Sequence, residues 1–401
     1  MDDSMETIPH HVASCAQSAH FHSLAQAIDA QQVIQTAVAI QQIPAPTFDE
    51  RRRAEYVRDC FVAAGLCDVS IDALHNAIGR WPGADPTRPA LLLSAHTDTV
   101  FPATTDLTVR EESGRLYGPG LGDNSLGVAT LIALAELFAR HNIRPSADIW
   151  FAANSREEGL GNLDAVRAVW NALGSRLGAA IVIEGTALGR VYHAGIAVRR
   201  LHIVCHAPGG HSWLHFGQPS AVHGLIDLGA QILALTPPRE PRTTFNIGLI
   251  HGGHSVNSLA CEAELYLDLR SEEPACLQAL ERVVRECIDA AGQAPLLTFT
   301  TTVVGDRPAG HIDPTHPLVQ MAGAALELAR VPALYERGST DANALLANGL
   351  PTVTVGVSRG AHSHRQDEYI ETTPVASGLW QLALLVLSAA EWDFQRGPTG
   401  E

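Results

Sequence analysis

Two side chains that can bind a metal follow directly on an apolar run of strand length. The run 90–95 leads into His96, and Asp98 follows two residues later. Because side chains alternate along a strand, His96 and Asp98 should point the same way at its carboxyl end, where open α/β sheets place their ligands. A carboxylate that holds the ring is the usual partner of a metal-binding histidine. The pair alone equally fits a strand that simply ends in two polar residues.

Further carboxylates and imidazoles stand near the ends of other predicted strands. They are Asp123 in a glycine-rich turn at 118–124, Glu157 and Glu158 after a strand at 148–154, Glu184 after a strand at 179–183, and His364 after a strand at 352–357. Carboxylates gathered at one edge repel one another unless a cation is present. Two divalent metals about 3.5 to 4 Å apart, bridged by one carboxylate, would relieve that repulsion. Oxygen and nitrogen ligands without thiolates suit zinc, cobalt or manganese.

The elements that must position these side chains alternate between strand and helix. Apolar spacing predicts helices at 27–42, 49–64, 125–141, 163–173, 317–329, 341–348 and 374–392. The intervening strands are short, continuous apolar runs. This alternation predicts an α/β fold with a mostly parallel sheet and helices on both faces.

The pattern changes in the middle of the chain. Apolar and polar residues alternate over 189–207 and 243–270, which is typical of antiparallel strands with one solvated face. Helical spacing covers 220–235 and 274–291. We therefore predict a loose extension at 1–25, a main domain formed by 26–189 and 306–401, and an α+β sandwich inserted at 190–305.

Composition excludes several classes of protein. Hydrophobic residues make up 46% of the chain and charged residues 17%, as in a soluble globular protein. The net charge of −16 argues against a nucleic-acid partner. No apolar run reaches the roughly 18 to 20 residues of a membrane span, and the first residues lack the apolar segment of a secretory signal. The seven cysteines form no C-x-x-C pair, so we expect a cytoplasmic protein without a membrane partner.

Four motifs in order carry a resemblance to a known family. They are Ser94-Ala95-His96-Thr97-Asp98, Gly120-Leu121-Gly122-Asp123-Asn124, Glu157-Glu158-Gly159 and His364-Arg365-Gln366-Asp367-Glu368-Tyr369. From about residue 27 to 392 the chain resembles the metallopeptidase family of acetylornithine deacetylase, succinyl-diaminopimelate desuccinylase, glutamate carboxypeptidase and peptidase T. The resemblance implies a catalytic domain that holds two divalent metals, with zinc placed before cobalt or manganese. It also implies that the inserted domain is a lid that forms a homodimer.

The resemblance also implies a role for each residue of the motifs. His96 and Glu184 would bind one metal, Glu158 and His364 the other, and Asp123 both. Asp98 would orient His96, and the Asp123–Asn124 peptide bond is often cis in the family. Glu157 would be the general base, which takes a proton from the attacking water and returns it to the leaving nitrogen. His362 competes with His364 as the last ligand, and the four-residue spacing to Glu368 favours His364.

Residues outside these motifs resemble substrate-binding positions. His211, in Pro208-Gly209-Gly210-His211-Ser212, would stabilise the tetrahedral oxyanion in the neighbouring site of a dimer. Asn257 and Arg270 would contact the substrate, since an arginine fork suits a free carboxylate. Ser339 lies in a stretch that resembles a loop lining the substrate pocket. His211 could also be an ordinary histidine of a loop, and Asn257 and Arg270 ordinary polar residues of strands.

These motifs predict the hydrolysis of an amide bond in a small substrate with a free carboxylate. Glutamate at position 184 is typical of family members that act as N-acyl amino acid deacylases or carboxypeptidases. The stretch 339–343 instead resembles peptidase T, so an aminopeptidase acting on di- or tripeptides is the alternative. A binding protein that has lost catalysis is a third possibility, but it should lack a ligand or the base, and none is missing from the sequence.

Overall fold

The computed structural model describes residues 7–394. The helices of this part of the chain are α1 Ile8–Gln17, α2 Ala19–Gln26, α3 Ala30–Gln41, α4 Arg51–Ala63, α5 Leu126–Arg140, α6 Asp164–Leu173, α7 Ala221–Leu233, α8 Pro274–Ala291, α9 Pro317–Leu328, α10 Ala342–Ala347 and α11 Val375–Glu391. A wide turn at Leu121–Ser125 precedes α5, and 3₁₀ turns lie at Gly159–Gly161 and Gly174–Arg176.

The strands of the same residues are β1 Cys67–Ile71, β2 Ala77–Trp81, β3 Ala90–His96, β4 Arg110–Glu112, β5 Arg115–Tyr117, β6 Ile149–Asn154, β7 Leu177–Ile183, β8 Arg190–Gly195, β9 Ala197–His206, β10 Gly210–His211, β11 Thr243–Gly252, β12 Ser258–Leu259, β13 Glu262–Ser271, β14 Thr298–Arg307, β15 Gly310–His311, β16 Leu334–Gly338, β17 Thr352–Val355, β18 Gly360–Ala361 and β19 Tyr369–Glu371. They and the helices fall into two compact units, one formed by residues up to 195 and from 310 onward, the other by 196–309.

A nine-stranded sheet forms the centre of the first unit. Its order is β1-β2-β6-β3-β7-β17-β8-β15, with β16 beside β8. The inner strands β6, β3, β7 and β17 run parallel to one another. In β3, Leu91 and Leu93 pack into one hydrophobic core and Leu92 into another. Since neighbouring side chains of a strand point to opposite faces, both faces are covered, which confirms the predicted α/β class.

The second unit is built on antiparallel strands. Its main sheet has the order β11-β13-β9-β14, and β13 pairs with β9 in register from Glu262↔His206 to Ser271↔Ala197. Inward residues of these strands pack with the apolar faces of α7 and α8 in one core. The antiparallel strands predicted from the alternation of apolar and polar residues are therefore present. The roles of main catalytic domain and lid stay predictions.

The expectation of a loose extension at residues 1–25 is wrong for the part that the structure describes. Residues 8–26 form α1 and α2, whose Val12, Phe21 and Leu24 are buried in the core of the first unit. The Phe21 ring meets the edge of Trp380 at 5.2 Å between centroids. Each helix carries too few apolar residues to show a clear period in sequence. Residues 1–6 lie outside the described residues.

Helix α5 combines length with apolar character and lies in the core. The segment Leu121–Arg140 is long and apolar enough to cross a membrane by length and composition alone, but 83% of its most apolar 18 residues is buried inside the structure. All but three positions of α5 are buried. The helix therefore packs in the core of the first unit, where it contacts the turn that carries Asp123.

A small sheet that the sequence does not predict joins two distant loops. Its order is β18-β19-β5-β4, and β19 pairs with β5 so that Tyr369 lies opposite Tyr117. The glycine-rich turn follows β5, and the segment containing His364 precedes β19. This pairing brings together two loops that carry candidate ligands.

Candidate metal centre

Parallel strands place the candidate ligands at one edge of the central sheet. His96, the last residue of β3, lies opposite Asn154, the last residue of β6. Glu157 and Glu158 follow β6 within four residues, and Glu184 follows β7 directly. Because these strands share direction and neighbouring register, their carboxyl ends meet at the same place.

A first group of ligand atoms surrounds the ring of His96. Its Nε2 lies 3.1 Å from Oδ1 of Asp123 and 3.7 Å from Oε2 of Glu184. His96 is 1% exposed. The buried ring therefore presents one nitrogen to two partly exposed carboxylates.

A second group forms around His364, on the other side of Asp123. The Nε2 of His364 lies 2.9 Å from Oε1 of Glu158 and 3.3 Å from Oδ2 of Asp123. Asp123 thus turns one oxygen to each group. This is the arrangement of a carboxylate shared between two cations.

Asp98 contacts both His96 and the segment that carries Glu157 and Glu158. Its Oδ1 lies 3.5 Å from Nδ1 of His96, and its two oxygens accept hydrogen bonds of 2.9 Å from the backbone N–H groups of Glu157 and Glu158. Thr47 Oγ1 donates to Oδ2 at 2.9 Å. One fully buried carboxylate therefore fixes the ring of His96 and the backbone of both glutamates.

The turn at Leu121–Ser125 aims Asp123 into the centre. Its Asp123–Asn124 peptide bond is cis. The Asn124 side chain donates to the carbonyl of Ile183 at 2.7 Å and accepts from the N–H of Gly185 at 2.9 Å. These bonds attach the turn to the end of β7, on either side of Glu184.

Proton affinities in the centre are strongly perturbed. Hydrogen bonds to Asp123 and Glu158 raise the pKa of His364 to about 10. Burial, together with the charge of Asp123, raises the pKa of Glu158 to about 7. Burial also raises the pKa of Glu184 to about 7, against the opposing effect of His96. Buried carboxylates at this density are costly unless positive charge lies among them.

The donor set fits divalent cations. Possible ligand atoms lie within 4.8 Å of one another in three groups of the described residues: His96, Asp123 and Glu184; Asp123, Glu158 and His364; His96, Glu157 and Glu158. All are oxygen or imidazole nitrogen atoms, which suits zinc, manganese or cobalt better than a soft, thiolate-seeking metal.

The structure distinguishes the two candidate histidines of the C-terminal segment. His364 lies in the second group, whereas Nδ1 of His362 lies 3.0 Å from Oδ2 of Asp367. Among the described residues, His362 belongs to none of the three ligand groups. The geometry therefore favours His364 as the ligand.

Three of the predicted substrate-binding residues lie in the second unit. His211 in β10 pairs with Ser258 in β12, next to Asn257, and both His211 and Asn257 are exposed. Nε of Arg270 donates to Asp268 at 2.6 Å, and the Arg270 side chain is 41% exposed. Their roles stay predictions.

The fourth predicted substrate residue, Ser339, lies in the first unit. It follows β16 directly and is partly buried. Two positions further on, the buried Asp341 accepts a hydrogen bond of 2.6 Å from Asn154. The loop thus contacts the end of β6, while the role of Ser339 stays a prediction.

Sequence reasoning missed two buried charged residues beside the centre. Arg53 in α4 is 1% exposed, and its Nη1 donates to the carbonyl of Thr97 at 2.7 Å, between His96 and Asp98. Glu368 is 0% exposed and binds the backbone of the turn that carries Asp123. Arg53 has no local signal in the sequence, but Glu368 could have been found from its place in the motif of His364.

The chain is similar to known proteins both in sequence and in fold. Residues 92–387 match Peptidase family M20/M25/M40. The chain is 27% identical over 320 residues to acetylornithine deacetylase of Photorhabdus laumondii subsp. laumondii, covering 74% of this chain and 78% of that protein. It is 27% identical over 271 residues to succinyl-diaminopimelate desuccinylase of Rhodospirillum centenum, covering 64% and 68%. A tripeptidase of Staphylococcus aureus subsp. aureus Mu50 shares the fold, with a TM-score of 0.73, 20% identity, and coverage of 91% and 100%.

Fold, donor set and relatives together define the class as metal-dependent peptidases and deacylases. The chain belongs to Peptidase family M20/M25/M40, because the match covers more than half of its length. This confirms the resemblance inferred from the four motifs. The protein is therefore a hydrolase of that family.

Proposed function

We propose that the protein hydrolyses the amide bond of a small substrate with a free carboxylate, as an N-acyl amino acid deacylase or a carboxypeptidase. The observation that carries this proposal is the position of Asp123, whose two oxygens face His96 and His364 separately. Such sharing supports a centre of two cations. Zinc is the first candidate, with cobalt and manganese as alternatives.

In the proposed mechanism the centre's residues divide between binding and proton transfer. His96, Asp123 and Glu184 would hold one cation, and Asp123, Glu158 and His364 the other. When bound, such cations polarise the scissile carbonyl and acidify the attacking water. Asp98 would keep His96 in the tautomer that presents Nε2, since Nδ1 faces the Asp98 carboxylate and lies 3.1 Å from its carbonyl oxygen.

Glu157 is the proposed general base. Its carboxylate can lie within 4.8 Å of ligand atoms of His96 and Glu158, and its backbone N–H is fixed by Asp98 at 2.9 Å. It would take a proton from the water as the C–O bond forms and deliver it to the nitrogen as the C–N bond breaks. Glu158, adjacent in sequence, remains free to bind a cation.

The substrate-binding roles rest on the motifs of the second unit and on the chemistry of their side chains. Arg270 would bind the substrate carboxylate, because Asp268 engages its Nε while the side chain stays partly exposed. His211 would stabilise the oxyanion in the neighbouring site of a homodimer, Asn257 would contact the substrate, and Ser339 would line its pocket.

All seven cysteines are free thiols, which supports a cytoplasmic location.

Two relatives support deacylation as the first choice. The proteins at 27% identity are named for removing an acetyl and a succinyl group. The shared fold of the tripeptidase supports the second candidate, an aminopeptidase that cleaves di- or tripeptides.

A substrate panel separates these candidates. N-acetyl and N-succinyl amino acids, dipeptides and tripeptides would be assayed with zinc, cobalt and manganese in turn. We expect turnover of acylated amino acids or of peptides at their C-terminal bond. Cleavage confined to peptides with a free amino terminus would establish the aminopeptidase instead. Absence of turnover with every metal would point to a binding protein.

A further inference from the structure

The carboxylate of Glu368 is buried against the backbone of the glycine-rich turn. Its Oε1 accepts hydrogen bonds from the N–H groups of Gly122 at 2.7 Å and Asp123 at 2.9 Å, and its Oε2 accepts from Gly120 at 3.0 Å. The residue is 0% exposed. Both oxygens are therefore committed to the turn that presents Asp123.

The turn is shaped to receive this carboxylate. Gly120 has φ 70°, in the left-handed region that favours glycine. A Cβ at Gly122 would lie 3.1 Å from Oε1 of Glu368 and 2.5 Å from Cγ2 of Thr186. A side chain at Gly122 would thus crowd Glu368, whereas one at Gly120 would strain the backbone and lie 2.8 Å from Cγ2 of Thr99.

The backbone of Glu368 joins the same turn to the segment of His364. Its carbonyl accepts from the N–H of Gly118 at 2.9 Å, and its N–H donates to the carbonyl of Arg365 at 3.1 Å. Arg365 is the residue after His364. Glu368 therefore lies where the loops of two proposed ligands meet, while its own side chain belongs to none of the ligand groups.

Burial and the charge of Asp123 raise the pKa of Glu368 to about 8, although its three N–H partners act in the opposite direction. The three hydrogen bonds fix the side chain against the turn. We propose that Glu368 is a positioning residue, which sets the place of Asp123 relative to His364 and so controls the affinity of the Asp123, Glu158 and His364 group for its cation. The inference rests on the proposed metal-dependent function. It assigns to Glu368 no contact with substrate or metal.

The test is metal binding by the purified full-length chain, stripped with a chelator and titrated calorimetrically with zinc chloride. Glu368→Gln keeps the size of the side chain but replaces one accepting oxygen by an NH₂ group. Partners that orient metal ligands typically contribute about 10- to 100-fold to affinity. We expect two equivalents of zinc for the wild type. For Glu368→Gln we expect weakening of that order at one equivalent and a smaller effect, through the shared Asp123, at the other.

Asp367→Asn is the matched control, because it makes the same change from carboxyl to amide one residue earlier, on an exposed side chain that faces Arg365. It should bind zinc as the wild type does. Glu368→Asp, which keeps the carboxyl group but is shorter by one methylene, serves if the glutamine variant does not fold, and it should weaken the same equivalent most.

Each outcome of the titration decides the question. Unequal weakening of the two equivalents supports the positioning role, whatever the melting temperature of the metal-free protein. Unchanged binding in both variants, or equal weakening of both equivalents, overturns it. If the wild type itself binds no zinc, cobalt or manganese, the proposed function fails instead, and the two failures are distinguishable.

Discussion

Asp98 and His96, two residues apart on one strand end, hold each other in a fixed geometry. The Asp98 carboxylate lies 3.5 Å from Nδ1 of the His96 ring, which leaves Nε2 directed at Asp123 and Glu184. Burial opposes the charge of Asp98, but hydrogen bonding to His96 lowers its pKa below the ordinary value. A charged, fully buried carboxylate is thus stabilised by the imidazole that it orients.

Removing the charge of Asp98 should weaken metal binding. In Asp98→Asn an amide NH₂ group replaces one of the two accepting oxygens. This NH₂ group then faces another hydrogen-bond donor, either His96 or the backbone N–H of a glutamate, and that hydrogen bond is lost. We expect a loss of about 10- to 100-fold in zinc affinity, measured by competition with a chelating dye. Asp106→Asn, an exposed change, is the control. Equal affinities in both variants would contradict the role of Asp98.

Replacing the proposed base should remove turnover but keep the metal. Glu157→Gln preserves size and cannot accept the proton, so kcat should fall by about 10²- to 10⁴-fold. Metal content, measured by mass spectrometry of the purified protein, should equal that of the wild type. Activity that survives this change would show that another group accepts the proton.

Metal affinity should rise with pH. The pKa of His364 lies at about 10 in the metal-free protein because Asp123 and Glu158 stabilise the imidazolium, and a liganding imidazole must be neutral. Cation binding therefore displaces a proton below that pH. Apparent affinity should increase by up to about tenfold per pH unit for each proton released, approaching a plateau near pH 10.

Calorimetry at pH 7 in buffers of different ionisation enthalpy counts these protons. We expect release on zinc binding by the wild type and a smaller release by His364→Asn, which lacks the imidazolium. Proton release that is equal in the two proteins would show that other groups supply it.

Truncation of Phe21 should destabilise the first unit, although this residue lies in a segment that looks loose in the sequence. The ring is 2% exposed and contacts Trp380 edge to face. Phe21→Ala should lower the free energy of unfolding by about 3 to 5 kcal/mol, as for other buried rings. Urea denaturation measures this, with His20→Ala, an exposed neighbour, as the control. A change below about 1 kcal/mol, the range of surface substitutions, would show that α2 is not docked in solution.

The family, the α/β class and most helices of the first unit can be predicted from the amino-acid sequence. The apolar periods of α5 and α11 are long and local, and His96 and Glu184 lie at the ends of strands that their own neighbours define. His96 and Asp98 could be paired from alternation along one strand alone. These patterns extend over a few neighbouring residues, so they can be recognised without knowledge of the fold.

Contacts between residues that are distant in sequence become visible only in the folded protein. Glu368 binds the N–H of Asp123 across 245 residues of sequence, and α1 and α2 pack through single apolar residues against helices far along the chain. The competition between His362 and His364 likewise depends on which ring reaches Glu158, 206 residues away from His364. Contacts of this kind depend on the order and register of the strands in the sheet. Because order and register are set only when the whole chain folds, these contacts leave no local pattern in the sequence.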